Sequence, residues 1–256
     1  MDMPERGRKL KAEFIARRGF WPEEYEGLAA LCPDFLEAHL ASSVIATRSD
    51  VISPLLSEYI AIAIDVSTTH LFESGLRLHV RQALRLGATA KQIALVIQLV
   101  SSIGVQSQLV GLPILAQLTD RAALPPTPDQ DALKQAFIAR HPVWSPAHQA
   151  LLQASPAYFA AQLALSGTVM DDDALSAKEK ALILVAANGA VTHLQEDALR
   201  LSMEMALATG ASAEEIVAVL RRVSSLGMHS CMFGFPILMS ELARLEKNGE
   251  QQTEGR

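Results

Sequence analysis

His70 and Glu73 stand three residues apart, and the same pair returns 123 residues later as His193 and Glu196. On a helix such a spacing puts both side chains on one face. A carboxylate beside an imidazole orients the ring and raises its pKa, which is the arrangement that general acid–base catalysis uses. The competing reading pairs Glu73 with Arg77 and Glu196 with Arg200 as ordinary i,i+4 ion pairs, since both arginines are repeated too. Thr69 and Thr192 precede the histidines and have the composition of helix N-caps. Their backbone N–H groups are also placed to hold a substrate carboxylate. His79 lies nine residues after His70, about half a turn round a helix, so one straight helix cannot bring both rings to one ion.

These residues belong to a chain written twice. With a shift of 123, residues 69–115 align with 192–238 without a gap, and 23 of the 47 positions are identical. Phe14-Ile15-Ala16-Arg17 matches Phe137-Ile138-Ala139-Arg140, Trp21 matches Trp144, and Pro33 matches Pro156. Solenoid units repeat every 20–50 residues or so, which makes this a duplicated module instead. The expected organisation is a first module over 1–123, a linker at 124–128, a second module over 129–245 and a polar tail at 246–256. The two modules should be related by a pseudo-two-fold axis.

The elements that must position the site read as helices. Pro33 and Pro156 mark helix starts. The run Leu55 to Ile64 is apolar on every side and belongs in the interior. Ser176 with Glu179 has the form of a capping box. Thr69 and Thr192 should start the next helix, which ends at Gly87 or Gly210. Thr89 and Ser212 cap the helix after that. Gly111-Leu112-Pro113 and Gly234-Phe235-Pro236 mark a bend before the last helix of each module. No alternating run demands a strand, so the fold class is all-α.

Half of the 256 residues are apolar and a fifth are charged, as in a soluble globular protein. A net charge of −6 without a basic patch argues against nucleic acid. No window reaches roughly 18 uninterrupted apolar residues, so no membrane span is expected. Met1 to Lys11 lacks the apolar core of a signal peptide. Two cysteines, Cys32 and Cys231, build no disulfide framework, and the cytoplasm is the expected location. No cofactor is implied.

The stretch Leu175-Ser176-Ala177-Lys178-Glu179-Lys180, followed by a central helix and then Ala206-Leu207-Ala208-Thr209-Gly210-Ala211-Ser212-Ala213-Glu214-Glu215-Ile216, resembles the carboxymuconolactone decarboxylase family. Its superfamily also holds the alkylhydroperoxidase D-like proteins. The same string occurs at Ala83-Leu84-Arg85-Leu86-Gly87-Ala88-Thr89-Ala90-Lys91-Gln92-Ile93. The resemblance implies all-helical modules that assemble into homo-oligomers, here a trimer of tandem chains or a hexamer. It also implies a small-molecule substrate and a carboxy-lyase type of reaction.

The chain departs from that pattern at informative places. The peroxidase branch carries a Cys-x-x-Cys where this chain has His70 and Glu73, or His193 and Glu196. The family glutamate of the first core helix matches Glu58, and the second copy has Ala181 there. The family histidine is nearest to His79, and Ser202 replaces it in the second copy. His229 stands where the first copy has Gln106.

The expected activity is decarboxylation of a small carboxylated lactone or oxo-acid. His70 or His193 would supply the proton, oriented by Glu73 or Glu196 and assisted by Glu58. His79, His229, Thr69 and Thr192 would contact substrate. Two alternatives stay open. One is a metal centre built from His70 or His193 with His229. The other is a non-catalytic oligomeric relative. Cysteine most often packs as a small hydrophobe. Replacing Cys32 and Cys231 together with Ser is therefore expected to leave turnover within about tenfold, and a dithiol-dependent hydroperoxidase assay should show no cysteine-dependent activity.

Overall fold

The structure is a computed structural model that describes residues 3–47, 50–119 and 125–254. Helices dominate it, and no strand occurs among the described residues. The first copy contains α1 (Glu5–Arg18), α2 (Glu26–Leu31), α3 (Pro33–Thr47), α4 (Pro54–Val66), α5 (Glu73–Arg85), α6 (Ala90–Ser101) and α7 (Gln106–Leu118). The second contains α8 (Pro128–Ile138), α9 (Pro146–Ala154), α10 (Pro156–Met170), α11 (Ala177–Gly189), α12 (Glu196–Ala208), α13 (Ala213–Ser224) and α14 (His229–Glu254). The starts of α3 to α7 recur 123 residues later as the starts of α10 to α14. The sequence repeat is thus a backbone repeat.

Local chemistry explains these starts. Ser53 accepts from Leu56 N at 3.1 Å and Pro54 opens α4, a pre-organised first turn. Thr89 with Gln92, and Ser176 with Glu179, form reciprocal capping boxes. After α5 and α12 the chain turns through Gly87 and Gly210, at φ of 93° and 89°, a conformation open to residues without Cβ.

The chain forms two compact units, one of Met1–Ser49 with Ser224–Arg256 and one of Asp50–Val223. In the first unit α14 packs on α2, and Met239 lies where a Cβ on Gly27 would fall. Phe14 is the hub of an edge-to-face cluster with Phe20, Trp21 and Tyr25, a geometry that aromatic quadrupoles favour. In the second unit α7 packs on α9. The last helix of each copy therefore covers the N-terminal helices of the other.

The centre of residues 50–223 is the pair α4 and α11, which pack on each other. Tyr59, Ile60, Ile62 and Ala63 are inaccessible to solvent, as are Ala181, Leu182, Ile183 and Val185. The Oγ1 atoms of Thr69 and Thr192 lie 3.5 Å apart. Contact between equivalent positions places a pseudo-two-fold axis between them.

Two expectations need correction. Thr69 and Thr192 do not cap helices: α5 and α12 begin at Glu73 and Glu196, with Phe72 and Gln195 as N-caps. Pro113 and Pro236 lie inside α7 and α14. The break before each last helix comes earlier, as 3₁₀ turns at Ser102–Val105 and Ser225–Met228. Those turns, each holding a glycine, redirect the chain. Ala90–Leu118 has the length and apolarity of a membrane-crossing segment, but the turn at Ser102–Val105 divides it into α6 and α7.

Gly75 of α5 lies against Asp65 of α4. A Cβ there would lie 2.4 Å from Oδ2 of Asp65. In the second copy the corresponding pair is Ala198 and Asn188, so the approach there accommodates the methyl. Gly75→Ala is expected to destabilise the fold by about 1–3 kcal/mol, the usual range for overpacking. Gly104→Ala, with nothing within 4 Å of its new Cβ, should be neutral or slightly stabilising in the same denaturant titration. Equal effects of the two would refute the contact.

Candidate active site

Helix α4 carries two carboxylates, Glu58 and Asp65, in an otherwise apolar run. Both face groups from other helices. His79 of α5 places Nδ1 2.7 Å from Oε2 of Glu58. On its other side, Nη2 of Arg222 from α13 lies 3.4 Å from His79 Nε2. A guanidinium has donors only, so Nε2 is the acceptor and the ring proton sits on Nδ1, donated to Glu58. The network thereby assigns the tautomer.

Burial decides the charge states. Arg222 is 5% exposed and Asp65 1%. Burial pushes the Asp65 carboxyl up to about 7, opposed by the Arg222 charge and reinforced by Glu58. Burial also lowers the Arg222 guanidinium, while Glu58 and Asp65 hold it up. One buried cation thus stands among two carboxylates, one of which titrates near neutrality. Glu58 and His79 remain partly open, with side chains 20% and 13% exposed. Of these four groups they keep the most solvent exposure.

The tight turn between α4 and α5 brings His70 to the same place. His70 N donates to Ser67 O at 2.8 Å, and Phe72 N donates to Asp65 O at 2.9 Å. Leu71 holds a φ of 50°, and Leu194 one of 27° in the second copy. Non-glycine residues in that region are strained and cluster at functional sites. A ring nitrogen of His70 lies within 4.8 Å of an Asp65 carboxylate oxygen. Its ring stacks on Phe72 at 5.6 Å, and burial lowers its pKa.

The sequence-derived residues are thus only partly assembled. Glu58 and His79 form a direct pair, with His70 nearby. Glu73 is instead bound to Arg77 at 2.6 and 2.8 Å, and Glu196 to Arg200 at 3.0 Å. The surface ion-pair reading holds for both glutamates, because the helices start after the histidines and turn the two residue types apart. Thr69 bonds to the Ser67 hydroxyl at 2.9 Å. His229 begins α14 in the unit of residues 1–49 and 224–256. The Cys231 thiol is pushed up by burial, the reverse of an activated nucleophile.

Sequence reasoning missed Asp65 and Arg222. Their signal was present: a second carboxylate inside the apolar run of α4, and an arginine where the first copy has Leu99. Equivalent positions of the second copy are Ala181, Asn188 and Ser202, all uncharged. His193 there bonds through Nε2 to Oε1 of Gln106.

A titration tests the state of Asp65. Folding raises its pKa from 3.8 to about 7. The group's contribution to stability is therefore complete below pH 3.8, falls as the pH rises through 7, and is constant above. Asp65→Asn removes this dependence. The stability of the variant minus that of the native chain should rise between pH 4 and 7, by at most about 1.4 kcal/mol per pH unit, and then level off. A difference independent of pH in thermal unfolding would refute the raised pKa.

The chain matches the profile of the carboxymuconolactone decarboxylase family over residues 156–229, within the second copy. A crystal structure from Burkholderia xenovorans LB400, provisionally described as a gamma-carboxymuconolactone decarboxylase subunit, aligns with a TM-score of 0.89. That protein is 30% identical, and the alignment covers 95% of this chain and 99% of the other. No curated protein matches the sequence. Similarity over nearly the whole of both chains, on the same helical repeat, means that this protein belongs to the carboxymuconolactone decarboxylase family.

Proposed function

We propose that the protein decarboxylates a small carboxylated lactone or related oxo-acid, and that Glu58 and His79 of the first copy carry the proton transfer. The observation behind this reading is the 2.7 Å Glu58–His79 pair, partly open to solvent beside buried Arg222 and Asp65. Decarboxylation breaks the C–C bond to the carboxylate. Carbon dioxide leaves, and the electron pair stays on the substrate as an enolate-like carbanion. That carbanion needs a nearby positive charge and then a proton.

Glu58 takes a proton from solvent on Oε1 while Nδ1–H of His79 holds Oε2 in place. The carboxyl then passes that proton to the carbanion and returns to the carboxylate, which His79, kept in its Nδ1–H tautomer by Arg222, again stabilises. Arg222 and Asp65 are positioning residues: one supplies a fixed cation, the other adjusts the local charge near neutral pH. His70, next to Asp65, borders the same place. Glu73, Glu196 and the second copy's Ala181 and Ser202 take no part in the chemical step.

The test is carbon dioxide release from small carboxylated lactones and oxo-acids. His79→Asn and Glu58→Gln should each lower turnover by about 10²–10⁴, the usual value of a general acid–base group, with unchanged helical content. His193→Asn should stay within about tenfold of the native chain. Full turnover in a folded His79→Asn, Glu58→Gln double variant would remove this pair from the mechanism.

A further inference from the structure

Residues 102–109 of the first copy and helices of the second line a cavity of about 190 Å³. Gln106, Asn188 and Ser202 make a hydrogen-bonded polar end. Phe137, Leu163 and Met205 are among its apolar residues, and Gln162 and Ser166 also line it, with the Ser166 hydroxyl already given to Leu163 O. No Asp, Glu, Lys or Arg lines it. Two histidines do, His141 and His148, and burial drives both to about 4. They are uncharged at neutral pH. The cavity wall therefore carries no charge at all.

The polar end is a directed chain of hydrogen bonds. Ser202 Oγ donates to Ala198 O at 2.8 Å, so it must accept from Asn188 Nδ2, at 2.7 Å. Asn188 Oδ1 is then turned toward Gln106 and accepts from its Nε2. Gln106 Oε1 in turn accepts from His193 Nε2–H. Each carboxamide uses one of its two N–H donors in this chain, and the second remains for a ligand. The amides are held in place by their neighbours, so a carbonyl or hydroxyl oxygen meets pre-oriented donors.

Comparison with the first copy shows what changed. Glu58, Asp65 and His79 there correspond to Ala181, Asn188 and Ser202 here, and Leu99 of the first copy corresponds to Arg222. Glu58, Asp65, His79 and Arg222 are thus each matched by a residue without an ionisable side chain in the other copy. A carboxylate entering the neutral cavity would lose its hydration without gaining a cation. An uncharged ring keeps its apolar contacts and satisfies one oxygen on the amides. A dry apolar cavity of roughly 150 Å³ accepts benzene, so this one has room for a single ring with one polar substituent.

We propose that this cavity is a separate binding site for a small uncharged cyclic compound bearing a single hydroxyl or carbonyl group. Selectivity against carboxylates is the mark of this site, and it goes beyond the chemistry proposed for Glu58 and His79.

The experiment uses the full chain labelled with ¹³C at methionine methyls, with phenol and benzoate as probes. Met205→Leu identifies the cavity resonance. Phenol at millimolar concentration should shift the Met205 signal in a saturable way, and benzoate should bind there at least tenfold more weakly. Ser202→Leu, which fills the polar end, should weaken phenol binding at least tenfold. Leu163→Phe, filling from the apolar wall, is a second route if Ser202→Leu does not fold. His79→Asn should leave phenol binding at Met205 unchanged, which separates this site from the proposed catalytic pair. No saturable shift at Met205, equal affinity for benzoate, or phenol binding indifferent to the filling variants would each overturn the proposal.

Discussion

Helices α4 and α11 are buried along almost their whole length against each other and their neighbours. The charged and amide groups they carry are bonded inside the protein, because an unpaired buried polar group costs a few kcal/mol. The buried Tyr59 hydroxyl, without a hydrogen-bond partner among the described residues, is an exception. The rest of the arrangement follows from this constraint. On α4 the carboxylates of Glu58 and Asp65 draw in His79 and Arg222. On α11 Asn188 is bonded between Ser202 and Gln106. Lys180, 2% exposed, gives its ammonium protons to the carbonyls of Met170 and Asp172.

Duplication set two equivalent backbones side by side, and side-chain changes then separated their chemistry. The starts of the core helices agree at an offset of 123 residues. The strained turn before α5 recurs before α12, down to the positive φ of Leu71 and Leu194. Yet Glu58, Asp65 and His79 of the first copy meet Arg222 of the second in one ionisable cluster, whereas the equivalent place around Asn188 and Ser202 holds a neutral chain of amides and a hydroxyl. Gly75 and Ala198 record the same divergence in packing. A methyl fits next to Asn188 but collides with the Asp65 carboxylate.

The charged cluster draws on both copies, since Arg222 of α13 belongs to the second repeat and Glu58, Asp65 and His79 to the first. A single module does not contain it. This gives a physical reason for two modules to be kept in one chain: fusion allows position 99 to remain leucine while its counterpart becomes arginine. In an assembly of identical single modules both would change together. The asymmetry is what leaves one site charged and the other neutral.

Much of the fold was legible from residues close in sequence. Ser53-Pro54, Thr89 with Gln92 and Ser176 with Glu179 start helices through bonds spanning three residues, so local composition suffices. The repeat itself placed equivalent helices, and the family resemblance pointed to Glu58 and His79. Thr69 was misread because the competing turn is held by longer-range bonds, from Leu71 N to Ser67 O and from Phe72 N to Asp65 O. These keep His70 out of the helix and leave Glu73 to Arg77. The sequence by itself determined an all-helical duplicated fold and its family. Only the tertiary structure decided which polar residues meet, because Asp65, Arg222, Gln106 and Asn188 acquire their roles from partners on other helices and from the loss of water around them.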